Sequence, residues 1–284
     1  MRFPLVICLA LLILVTSSDV GASPIVGASA NTLPEGEFML DAWFLWRDFT
    51  WEYEDSEQFW STLPTTDTRT GASLMPRLYY GLNDRLTLRI GVPLEDRYSE
   101  IFADGDPDDE PQSSSSTGFG DLVFDPKILL YEENEGDQRV SAIVGVRVPT
   151  GDVDAGLSDG STDVVVGAAA TQRSGDVAAH LCVTHWFNGT DDTGFDVRDQ
   201  WIGTLTLETK VDEGWTLLWE AKAYASSQSS TYRRVYACPG LMWSGDRMSI
   251  GLSAMVSAYR RGGLGYSTHD FDWAPFVRIY YRFF

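Results

Sequence analysis

The chain has 284 residues, with 21 Lys+Arg against 41 Asp+Glu and a formal net charge of -20. A chain this acidic lacks the basic surface that phosphate contacts need, which excludes general nucleic-acid binding. Aromatic residues make up 13%, including 10 Trp, too many for a disordered acidic chain, and 3 Cys cannot build a disulfide scaffold.

Arg2 is followed by an apolar run at 5–15 (LVICLALLILV), shorter than the roughly 20 residues of a spanning helix. Val20-Gly21-Ala22 before Ser23 reads as a cleavage site, so 1–22 is expected to be a secretory signal peptide. Cys8 lies inside the apolar run and does not suit lipoprotein processing. Residues 23–35 are expected to form an N-terminal periplasmic segment and 36–284 the folded body.

Beyond Pro34 the pattern is strict alternation, the mark of strands with one apolar face. Val140, Ala142, Val144, Val146 and Val148 share one parity, against Ser141, Gly145 and Arg147 on the other. The same design recurs in Met248, Ile250, Leu252, Ala254 and Val256, and again in Phe271, Trp273, Val277, Ile279 and Tyr281. Strands of about ten residues suit a tilted transmembrane β-strand, and about twelve are predicted. They fall at 36–48, 71–82, 85–95, 120–131, 138–149, 162–173, 176–187, 200–211, 214–226, 231–243, 246–259 and 271–284. Tight turns such as Asn83-Asp84 and Ser174-Gly175 alternate with longer polar loops at 49–70, 96–119, 150–161, 188–199, 227–230 and 260–270. That alternation is the plan of an all-β, antiparallel, up-and-down transmembrane β-barrel.

Aromatic residues of the apolar parity fall at strand ends, as interface girdles do. Trp46, Phe187, Trp201 and Trp273 belong to the outer end; Tyr131, Trp215, Trp243 and Tyr281 belong to the periplasmic end. Pro76, Pro126, Pro239 and Pro275 fall inside predicted strands, and each requires a bulge or a strand end.

Three segments carry a resemblance. Gly118-Phe119-Gly120-Asp121-Leu122 is followed by Asp125-Pro126-Lys127; Val146-Arg147-Val148-Pro149-Thr150-Gly151-Asp152 comes next. Ser161-Thr162-Asp163, the strand at 164–173 and Ser174-Gly175-Asp176 complete the set. Together they resemble the outer-membrane family named for the meta-pathway of phenol degradation, most clearly over 118–187. The resemblance implies a transporter-like barrel in the bacterial outer membrane, taking hydrophobic or aromatic compounds. An assembly signal for the barrel-assembly machinery is expected at Phe283 or Phe284.

If the apolar parity faces lipid, the charged parity faces the lumen, because Arg or Lys near the midplane costs about 2–4 kcal/mol. Candidate lumen residues are Arg77, Arg89, Asp125, Lys127, Arg147, Glu208, Glu220, Arg278 and Arg282. Two roles are open to them: a positive wall that selects solutes, or paired charges that brace a closed barrel. The outer loops carry surplus acid, with eight carboxylates in 95–110, and the serines at 113–116 suggest a flexible stretch. Asp104-Gly105-Asp106-Pro107-Asp108 begins like a calcium loop, but Asp109 and Ser115 replace the required Gly and Glu. No metal or other cofactor is therefore expected. His180, His185 and His269 join no recognisable serine nucleophile, so no enzymatic step is expected. Cys182 and Cys238 sit on strands too far apart to bridge and are expected as free thiols.

The reading is an outer-membrane channel or transporter for small solutes, surrounded by the bilayer and lipopolysaccharide. The alternative is a non-conducting barrel whose acidic loops form a structural or adhesion surface.

Overall fold

The computed structural model describes residues 24–54, 59–63, 67–102, 110–133, 137–190, 199–226, 233–261 and 269–283. The segment 1–22 expected to be a signal peptide, Phe284 and most of the calcium-loop-like stretch (103–109) lie outside the described residues. In chain order the first strands are β1 (Phe38–Asp48), β2 (Trp51–Glu54), β3 (Phe59–Thr62), β4 (Thr68–Asn83), β5 (Leu86–Gly91) and β6 (Leu94–Ile101). Next come β7 (Gln112–Phe119), β8 (Leu122–Phe124), β9 (Lys127–Glu133), β10 (Gln138–Val148), β11 (Asp163–Ser174) and β12 (Val177–Phe187). The last are β13 (Gln200–Asp212), β14 (Trp215–Ser226), β15 (Arg233–Ser244), β16 (Met248–Arg261), β17 (His269–Asp270) and β18 (Trp273–Arg282).

Twelve staves close an antiparallel barrel, with β18 pairing back onto β1. β5 and β6 make up the third stave and β7, β8 and β9 the fourth; every other stave is one strand. Closure removes the unpaired edges that hydrocarbon does not tolerate. Among the described residues no helix is long and apolar enough to cross a membrane.

The alternation read from the sequence sets which face is which. Val144, Val166, Leu181, Val183, Leu205, Leu207, Leu217, Trp219 and Leu252 are exposed on the outer surface of the barrel. Trp46, Phe187, Trp201 and Trp273 are exposed at one end, Tyr131 and Trp215 at the other. His185 shares the lipid-facing parity but is buried between the rings of Phe187 and Trp201, at 4.3 and 4.4 Å. The opposite parity is buried inside and includes Asp41, Arg89, Asp125, Lys127, Ser141, His180, Glu208, Glu220 and Arg278. Gly175 (φ 58) and Gly214 (φ 76) take up left-handed conformations in two short turns, which glycine adopts without a Cβ clash.

Two predicted loops are largely strand. Residues 96–119 contain most of the β6–β7 hairpin, and the serines at 113–116 pair with Arg97, Tyr98, Ser99 and Glu100 rather than forming a flexible stretch. Within 49–70, β2 and β3 form a hairpin that β17 extends to a small separate sheet. Residues 96–119 lack the apolar half of the alternation, and 49–70 keeps it only over Phe49, Trp51 and Tyr53, too short a run for a stave.

The four prolines coincide with breaks in the ladders. Pro126 stands between β8 and β9. Pro76 lies where its neighbouring stave changes from β5 to β6: Arg77 pairs with Gly91, whereas Leu74 pairs with Leu94. Pro239 falls in a gap of the β15–β16 ladder, between Ala237↔Val256 and Gly240↔Ser253. Pro275 lies just past the last β1–β18 pair, Leu45↔Phe276. A residue without an N–H is accommodated where the ladder asks for none.

The free Cys182 and Cys238 are both buried, on β12 and β15 with two strands between them. Leu181, half-exposed and midway along β12, tests the lipid assignment. Leu181→Arg is expected to destabilise the barrel by about 2–4 kcal/mol, measured by denaturant titration in phospholipid vesicles. Arginine at the inward neighbour would not probe the bilayer.

Candidate functional site

The lumen is crossed by the chain's own N-terminal segment. The sequence reading placed residues 23–35 in the periplasm, but the described part, 24–35, runs into the barrel instead. At the short-turn end Gly36 N donates to Gly81 O (2.8 Å), Glu35 N to Asp84 Oδ1 (3.1 Å) and Thr32 Oγ1 to Asp84 O (2.8 Å). From there the segment passes inward, burying Leu33, Ala30 and Ile25. Ile25 seats against Gly240 and Gly251, where a Cβ would come within 2.8 and 2.6 Å of it. These small lumen residues leave the room the segment fills.

A backbone in this position has no ladder partner, and its polar groups must be satisfied by side chains. The wall supplies them in kind. Cations meet carbonyls: Arg278 Nη1 donates to Pro24 O (3.0 Å), Ile25 O (2.8 Å) and Gly27 O (3.2 Å). Lys127 Nζ donates to Ser29 O (2.7 Å) and Asn31 O (3.1 Å). Hydroxyls add to this set, with Tyr280 OH donating to Pro24 O (2.7 Å) and Ser141 Oγ to Ala30 O (2.5 Å). Acceptors meet N–H groups: Glu220 receives Val26 N (2.7 Å) and Gly27 N (3.1 Å), Thr171 Oγ1 receives Ala30 N (2.9 Å), and Thr87 Oγ1 receives Leu33 N (2.7 Å).

Behind this layer the charges are paired. Arg278 forms a two-pronged pair with Asp41 through Nε (2.8 Å) and Nη2 (2.7 Å), and Tyr79 OH donates to the same carboxylate (2.9 Å). Arg89 binds Asp125 at 2.5 Å with both side chains buried. Glu208 lies 3.1 Å from His180 Nε2, and Arg282 lies 3.4 Å from Glu37. Arg147 stands with Asp159 at 2.8 Å, in contact with Asp163 and 3.8 Å from Asp121.

Beside the segment a cavity of 680 Å³ remains. Of the nine predicted lumen residues, Arg77, Arg89, Lys127, Arg278 and Arg282 line it. Asp125, Arg147, Glu208 and Glu220 do not; they serve as counter-charges or hold the segment. Met39, Trp43, Leu45, Tyr224, Met255 and Phe276 supply an apolar wall, with Trp43 and Phe276 stacked at 5.5 Å. The sequence reading missed this wall because on β1 both parities are apolar: Trp43 and Leu45 point inward while Phe44 and Trp46 share the other face. Toward the outer end Tyr236 stacks on Phe271 at 5.3 Å and donates to Asp270 at 2.7 Å, and Asp270 also lies 3.4 Å from Arg260.

The three motifs meet in the wall. Asp121 Oδ1 accepts from Thr150 N and Gly151 N at 3.2 Å, and Leu122 N donates to Thr150 Oγ1 at 2.9 Å. This knot joins the irregular fourth stave to the end of β10. Phe283 N donates to Phe38 O (3.0 Å) at the periplasmic end of the β1–β18 seam.

A family model described as "Putative MetA-pathway of phenol degradation" matches residues 60–267. The sequence matches no curated protein. Among solved structures, the COG4313 outer membrane channel from Pseudomonas putida F1 superposes with a TM-score of 0.70 at 16% identity, covering 93% of this chain and 100% of that one. The P. putida toluene transporter TodX gives 0.49 at 8% identity, covering 88% and 90%. The translocator domain of the autotransporter NalP from Neisseria meningitidis gives 0.46 at 11% identity, covering 88% and 90%. The first of these shares the fold, that of an outer membrane channel.

Removing one partner of a buried pair leaves the other charge uncompensated. Asp41→Ala is therefore expected to cost about 3–5 kcal/mol, read as an earlier denaturant midpoint in vesicles. Asp272→Ala removes a carboxylate that is itself exposed, and Arg260 keeps Asp270 at 3.4 Å, so it is expected to shift the midpoint by under about 1 kcal/mol.

Proposed function

The chain belongs to the family of the MetA-pathway of phenol degradation, and on that premise we propose that it is an outer-membrane transporter for small solutes with an apolar body. The observation that carries this reading is the cavity. A lumen crossed by residues 24–35 is no wide aqueous pore, and what stays open is walled on one side by Trp43, Leu45, Met255 and Phe276. Pockets of a few hundred Å³ with apolar walls and a few placed polar groups are how proteins hold small organic molecules. The transport needs no chemical step: binding and release along the lumen suffice. Phe283, exposed at the periplasmic seam, is the residue offered to the assembly machinery.

The route runs past the N-terminal segment, so the segment controls it. In planar bilayers the chain starting at Ser23 is expected to show small, brief openings. Deletion of 24–33 is expected to raise the conductance about threefold or more, since pore radius sets flux. Unchanged conductance after the deletion would take the cavity off the route. Silence of both proteins, each inserted and heat-modifiable, would leave the non-conducting surface barrel.

A further inference from the structure

We propose that the cavity beside the N-terminal segment is a binding site for a small amphipathic carboxylate, its carboxylate attracted by the cations Arg77 and Lys222 and its apolar body seated on Trp43 and Phe276. The proposal rests on the transporter reading above and narrows its solute class.

The first argument is the distribution of charge. The chain has a net charge of -20 and only 21 basic residues, yet nine cavity-lining residues are Arg or Lys and two are Asp or Glu. Most of the nine are answered. Arg89 has Asp125, Arg278 has Asp41, Arg139 has Glu132 at 2.6 Å, Arg282 has Glu37, and Lys127 has two carbonyls. Arg77 and Lys222 have no carboxylate within ion-pair distance among the described residues. Arg77 Nε is buried with no hydrogen-bond acceptor, and the Lys222 ammonium sits over the Tyr224 ring at 5.1 Å. Arg47 behaves similarly: Nη2 donates to Ser73 Oγ at 2.8 Å while Nε is buried without an acceptor. A half-buried cation with no ion-pair partner leaves a place that an anion from outside can take.

The second argument is placement. β4, which carries Arg77, and β14, which carries Lys222, are five steps apart around a twelve-stave wall, so the two cations approach the cavity from nearly opposite sides. The stacked pair Trp43 and Phe276 comes from β1 and β18, between them. An inorganic anion would leave that apolar wall unused. A neutral hydrocarbon would leave Arg77 and Lys222 without an ion-pair partner. A carboxylate on a ring or short chain meets both needs.

The test is isothermal titration of the mature chain in a neutral maltoside detergent, at fixed ionic strength, with benzoate, benzyl alcohol and acetate. Benzoate is expected to bind at least tenfold tighter than either of the others. The double variant Arg77→Gln/Lys222→Gln is expected to lose at least tenfold in benzoate affinity while its benzyl alcohol affinity stays unchanged. Lys222→Gln alone, which removes no hydrogen bond of the described structure, serves where the double variant fails to show heat-modifiable migration. Equal binding of benzyl alcohol and benzoate would overturn the inference and leave the transporter reading standing. Equal binding of acetate, or undiminished benzoate binding by the variants, would overturn it too. If neither benzoate nor benzyl alcohol binds or crosses a proteoliposome membrane, the transporter reading falls and takes the inference with it.

Discussion

One guanidinium ties the molecule together. Arg278 lies on β18, its partner Asp41 on β1, so their pair bridges the seam where the barrel closes on itself. The same group turns its remaining nitrogen toward three carbonyls of the N-terminal segment. Arginine suits this because its donors form a planar fork and its charge is permanent; a lysine could not face a carboxylate and a backbone turn at once. Closure of the wall and filling of the lumen thus share one buried charge. The arrangement is stable only while both neighbours are present.

The interior charges follow from that constraint. A segment crossing a lumen brings unpaired N–H and C=O groups with it, and the wall must answer them without a ladder. Lys127, Ser141, Thr171, Thr87 and Glu220 do so, each at a position whose chemistry matches the backbone group it meets. These residues bond the backbone of the segment. They take the place that water has in an open pore. The family motifs have a related structural duty: Asp121 and Thr150 fasten the broken fourth stave, and Asp125 holds Arg89.

Filling the lumen divides it into parts with different properties. One side of the remaining cavity is aromatic and sulfur-bearing, another cationic, and the segment forms a third boundary. Such a space is selective through the combination of surfaces that a solute must satisfy together.

The sequence by itself determined the barrel. Alternation at period two needs only local geometry, and the cost of charge in hydrocarbon assigns each parity to lipid or lumen with no knowledge of neighbours. Trp201, Leu205 and Leu207 face out, Thr206 and Glu208 face in, and this was legible from residue types alone. The motifs likewise pointed to the family. The destination of residues 24–35 was decided only by tertiary structure, because PIVGASANTLPE has no periodicity and no charge before Glu35. The carbonyls of Pro24, Ile25 and Gly27 are matched by Arg278 and Tyr280, more than two hundred positions away. The strand hairpin at 94–119 stayed hidden for the complementary reason: above the bilayer neither face of a strand need be apolar, and the alternating signal disappears. Which cations are answered and which stand open to the cavity depends on register across the seam, a property no single strand contains.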